Sequence, residues 1–167
     1  DAAMQQLIKQ LRDELTALQT KFDSLTAEQQ KLGFSDDEGL HGALRVSGNK
    51  IEFAINENMS WLAEADAKKL MVTLLNMRYQ QAEYRHSPRE LTRLQFLAGY
   101  EQFTKTFESI DGTPEMKGKL EQEVKHYADT FLNWIAINDR AYALRALIDI
   151  DSQNLTPRAN AIIMSAN

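Results

Sequence analysis

Two Glu-x-x-His pairs, Glu83–His86 and Glu123–His126, have a spacing that can hold metal. Helical bundles with two-metal centres use it on two helices and add a Glu from each of the others. The levels of the two pairs decide against a shared site. Reflection through the turn at Ser87 sets Glu83 beside about residue 91, and reflection through the turn near Gly112 sets Glu123 beside about residue 101. A mismatch of about ten residues is on the order of 15 Å along a helix axis, far beyond ligand distances of about 2 Å. Both pairs therefore read as surface side chains flanking core positions Tyr84 and Tyr127. No metal and no cofactor is expected.

A second constellation is cationic. The stretch LLNMRYQQAEYRHSPRELTRL places Arg78, Arg85, Arg89 and Arg93 around Ser87-Pro88. Arg78 and Arg85 stand seven residues apart and share a helix face beside Met77, Gln81 and Tyr84. Free amides at a helix start near Ser87–Glu90 would add positive potential. Guanidinium forks with such a helix end suit a carboxylate or phosphate. The same arginines can equally pair with Glu83, Glu90 and other acids, and both readings stay open at this level.

Polar residues at positions where a helical seam demands apolar ones form the third set: Gln29, Gln81, Asn138 and Arg145. They either set register, with an Arg stem passing the core, or line a polar site between helices. Nucleophilic and acid–base catalysis find no support, because the chain has no Cys, no Gly-x-Ser-x-Gly and no phosphate loop. No catalytic residue is assigned, and an enzyme is not expected.

The elements that must position these groups are helical. Met4, Ile8, Leu11, Leu15, Leu18, Phe22, Leu25, Gln29 and Leu32 step by four and three, the seam of a bundle or coiled-coil helix that Gly33 can close. A second helix is expected from about Leu40 to His86, with a stutter or bend near Asn58 where its seam slips. Ser87-Pro88-Arg89-Glu90 reads as a helix start with Ser as N-cap. Phe96, Tyr100, Phe103, Phe107 and Ile110 carry the third helix. Thr113-Pro114-Glu115 starts a fourth, with a break expected around Asp151–Pro157. No stretch alternates with period two for long enough to make a strand. The fold class expected is all-α. The second and fourth helices cover about 47 and 50 residues, so each reaches about 70 Å. An elongated antiparallel bundle of two stacked helical modules sharing long helices is the expected architecture, with residues 1–167 as a single helical-bundle domain.

The composition agrees. A chain of 167 residues, 43% hydrophobic, with seven Gly and three Pro, suits one globular domain of long regular elements. A net charge of −5 argues against nucleic acid as a partner. No apolar run approaches the roughly 20 residues that span a bilayer. The opening at Asp1 suggests an excised or processed piece of a larger protein.

Residues 39–55, GLHGALRVSGNKIEFAI, followed by LLNMRYQQAEYR at 74–85, resemble the helical bimodular sensor domain. That domain is the extracytoplasmic part of bacterial methyl-accepting chemotaxis receptors and some sensor histidine kinases. Its Leu-x-Gly-x-Leu-Arg opening corresponds to Leu40–Arg45, its Met-Arg run to Met77–Tyr84, and its Leu-x-Pro step to Leu155–Pro157. The similarity spans roughly residues 33–166. Tyr79 and Gln81 depart from the family's second Arg and its Glu. The resemblance implies a homodimer that binds a small anionic ligand, a carboxylate, between helices. It also implies flanking transmembrane helices outside these residues and a periplasmic location. By motif match it carries Arg45 and Arg78 as ligand-contacting positions; with Arg85, Gln81, Asn138 and Arg145 they form the expected ligand-binding set.

Overall fold

A computed structural model describes residues 1–166, with Asn58 described by its backbone alone. The protein is all-α. Among the described residues five α-helices run in order: α1 (Ala2–Leu32), α2 (Gly39–Phe53), α3 (Glu64–His86), α4 (Glu90–Glu108) and α5 (Pro114–Ala166), with a π turn at Ala54–Asn58 after α2. No strand occurs among the described residues. The chain divides into two compact units, one of residues 1–39 and 134–167 and one of residues 40–133.

In the first unit, α1 and the second part of α5 run antiparallel. The direction is fixed by three ion pairs: Glu14 with Arg158 at 2.5 Å, Lys21 with Asp151, and Glu28 with Arg140 at 3.5 Å. Glu14, Lys21 and Glu28 lie one heptad apart, so all three project from the same edge of the α1 seam. Along the seam Leu18 and Leu32 are buried, as are Trp134, Ile137, Ala141 and Ile148 of α5. Leu15 and Phe22, also seam positions, remain 48% and 45% exposed. Two helices have too few faces to enclose both sides of a seam.

α1 closes as expected at Gly33, whose N–H donates to the Gln29 carbonyl at 3.0 Å. Gly33 has φ 101° and Gly39 φ 55°, both in the region that side chains disfavour. The two glycines also meet. A Cβ on Gly33 would lie 2.0 Å from the Glu38 carbonyl oxygen, and one on Gly39 would lie 2.6 Å from the Gly33 nitrogen.

The second unit holds α3 and α4 as an antiparallel hairpin, with Gly99 beside Met77, joined to α2 and the first part of α5. Its core is aromatic. Phe96 lies 4.4 Å from Phe131 and 5.9 Å from Tyr127 between ring centroids, and Tyr84 meets Phe131 edge-on at 5.7 Å. Leu44, Ile51, Leu70, Leu74, Met77, Phe103 and Phe107 are among the other buried side chains.

Three expected boundaries are corrected. The second long helix does not bend through to His86. It widens into a π turn and stops, and α3 starts afresh at Glu64 after Met59–Ala63. Ser87 is not an N-cap: Arg89 is extended and α4 begins only at Glu90, so Pro88 lies outside the helix rather than at its first position. The break around Asp151–Pro157 is absent. α5 continues through Pro157, whose exposed ring costs one backbone hydrogen bond without ending the helix. The Thr113 start holds as expected, its Oγ1 accepting from Met116 N at 3.2 Å.

Gly33→Ala should destabilise the protein by at least about 2 kcal/mol, through disfavoured backbone geometry and a clash with Glu38. Gly118, inside α5 with nothing within 4 Å of a Cβ, should gain about 0.5–1 kcal/mol when replaced by Ala. Urea denaturation of the two variants checks the contrast.

Candidate functional site

The sequence-nominated residues divide between the units. Arg45, Arg78, Gln81 and Arg85 belong to the second, Asn138 and Arg145 to the first. Arg78 is half-buried and crosses from α3 to α2, where its Nη1 donates to Glu52 at 2.6 Å and Asn49 at 3.2 Å. Gly48 makes this crossing possible. A Cβ there would stand 2.7 Å from the guanidinium carbon, so a larger residue would oblige the Arg78 side chain to shift. Arg78 is thus an interhelical tie, and its partner is Glu52 rather than Glu83.

Gln81, one turn further along α3, accepts a hydrogen bond from Tyr127 Oη at 3.0 Å. Tyr127 is fully buried, so its hydroxyl needs that partner. Burial drives its pKa upward, above the ordinary value of 10.0, and nearby Arg78 only partly opposes the shift. The polar seam residue Gln81 therefore satisfies a core hydroxyl.

Other arginines near the basic cluster are also engaged. Arg93 donates to both Glu90 oxygens, at 2.9 and 2.6 Å, and this bidentate contact holds the Glu90 carboxyl below its ordinary value. Arg89 Nε donates to Ser87 Oγ at 3.1 Å. Arg45 and Arg85 are exposed and each interacts with a neighbour. Asn138 is half-buried on α5, whereas Arg145, expected to face inward, is exposed. Ala141 and Ile148 of the same seam take the buried stripe, and Arg145 between them is left to solvent. For Arg78 and Arg93 the ion-pair reading of the basic cluster is the one realised.

A cavity of about 720 Å³ lies elsewhere in the second unit, where α2 gives way to the π turn. Phe53, Met59, Trp61, Met116 and Leu120 supply apolar wall. Lys50, Lys119 and Glu123 supply charge, with both lysines exposed and Glu123 half-buried. The positioning is helical arithmetic. Val46, Lys50 and Phe53 follow i, i+4, i+7 on α2, and Met116, Lys119 and Glu123 follow i, i+3, i+7 on α5, so each trio forms one stripe. These stripes lie beside the buried ones, which is why seam-reading passed over them. The one signal in the sequence was the slip of the seam at Asn56–Ser60, which marks the π turn.

Among the described residues no three His, Cys, Asp or Glu gather where they could hold a metal ion, and no helix is long and apolar enough to cross a membrane. Comparison with protein families, curated proteins and solved structures finds no match to this chain.

Gln81→Leu should cost about 1–3 kcal/mol by stranding the Tyr127 hydroxyl, and the added change Tyr127→Phe should recover part of that loss. A double-mutant cycle by urea melts measures the coupling. Because the folded pKa of Tyr127 is raised, its contribution is complete below about pH 10 and is lost as pH rises beyond that through ionisation of the unfolded chain. The alkaline melting limb of Tyr127→Phe should accordingly be shallower than that of the parent.

Proposed function

We propose that the chain is the ligand-sensing, extracytoplasmic part of a bacterial transmembrane signalling receptor, either a chemoreceptor or a sensor histidine kinase. In this reading it works as a homodimer, and an anionic metabolite binds between helices of the second unit. Occupancy biases two packings of the bundle, and the signal leaves as a small shift of packed helices. The observation that carries the proposal is the cavity at the end of α2, open to solvent and bordered by Lys50 and Lys119. The sensor-domain resemblance supports it, since residues 33–166 include every wall of that cavity. The anion site moves accordingly. Arg78, the first choice from the sequence, is held by Glu52, whereas both lysines stand at the cavity edge.

A second reading is a helical protein-interaction module without a small-molecule ligand. The exposed seam residues Leu15 and Phe22 of α1 favour it, because they offer an incomplete seam to a further helix.

Thermal-shift screening with organic acids separates the two. A ligand at a hundred times its Kd stabilises by about 2.7 kcal/mol, a rise of roughly 5–10 °C for a chain of this size. The change Lys50→Met with Lys119→Met should abolish the rise. If no acid moves the melting temperature, the sensor reading fails, and self-association by light scattering that Phe22→Ser reverses would then put the interaction surface on the α1 seam.

A further inference from the structure

We infer that the cavity beside the π turn takes an amphipathic monocarboxylate, an acid with an aromatic body, in preference to a compact diacid. This rests on the reading of that cavity as the ligand site and adds the chemistry of its occupant.

Volume is the first ground. A space of about 720 Å³ lies within the range of sites that enclose ligands of drug size, on the order of 300–1,000 Å³. A four-carbon diacid would leave most of it to water, with few wall atoms in contact.

The wall is the second ground. Trp61 and Phe53 are aromatic, and Met59 and Met116 add polarisable thioethers that pack well against ring edges. Phe53 is 59% exposed and Met116 39% exposed, so an apolar body seated here would remove hydrocarbon from water. The Trp61 ring edge lies against Gly112 at the far end of the α4–α5 loop, which steadies the indole as one face of the site.

Charge is the third. Lys50 and Lys119 contribute two positive charges and Glu123 one negative, a surplus of one cation that matches one carboxylate. A dianion would bring its second charge up against Glu123. The carboxylate is therefore assigned to Lys50 and Lys119, and the ring to Trp61 and Phe53. The π turn contributes because its wider ring re-aims the residues after Phe53, a use seen often at functional sites.

The test is isothermal calorimetry on the full chain with three probes: 3-phenylpropanoate, its neutral counterpart 3-phenylpropanamide, and succinate. The expected result is that 3-phenylpropanoate binds at least tenfold more tightly than either of the others. Trp61→Ala and the paired change Lys50→Met with Lys119→Met should each weaken it at least tenfold. In a Trp134→Phe background, which leaves Trp61 as the remaining tryptophan of two, its binding should shift the fluorescence. Succinate binding as tightly as 3-phenylpropanoate, with sensitivity to the lysines but not to Trp61, would overturn the inference and leave anion sensing intact. Equal binding of acid and amide would overturn the carboxylate assignment. Absence of heat with all three probes, together with no melting shift from any organic acid, would remove both the inference and the sensor reading.

Discussion

Burial of an aromatic column is the constraint on which the second unit depends. Phe96, Tyr127 and Phe131 meet with Tyr84 where α3, α4 and α5 come together. Large rings in a close-packed interior tolerate few arrangements, so the column fixes the helices against one another. Tyr127 adds a demand that hydrocarbon alone does not make. Its hydroxyl must be satisfied, and Gln81 is the residue placed to do it. From that fixed α3, Arg78 reaches over Gly48 to Glu52 and ties down α2. The cavity walls on α2 and α5 inherit their positions from this chain of contacts.

The helices were largely legible in the sequence, and the reasons differ by element. The C-terminal end of α1 was read correctly, because its four-and-three spacing runs unbroken to a glycine that can end it. The start at Thr113-Pro114 was equally plain, since hydroxyl cap and proline point the same way. Ser87-Pro88 carries the same letters and behaves differently: local capping signals compete with a tight turn that α3 and α4 impose by packing together. At Pro157 the ring stays exposed and the helix bears the missing bond. The slip near Asn58 was visible, but pattern alone could not distinguish a bend from a full stop five residues long.

The site was less legible. Polar letters on a seam announce that something polar lies near the core, not what it touches. Gln81 and Arg78 turned out to serve buried or half-buried partners within the bundle. The cavity depends on residues beside the seam, on two helices distant in sequence, and on Met59 and Trp61 in a connection without periodicity. No linear pattern joins such residues; only the folded arrangement does.

The alternating charges between α1 and α5 carry one more consequence. Acid, base and acid succeed one another along α1, and base, acid and base answer them on α5. Sliding α1 by one heptad in either direction would bring Glu14 level with Asp151, or Lys21 level with Arg158. Like charges would then face each other, although the leucines would still find apolar company. The pairing works as a vernier with one matching position. Travel by a full repeat is disfavoured by electrostatics, each of these partly exposed pairs being worth on the order of 1 kcal/mol or less.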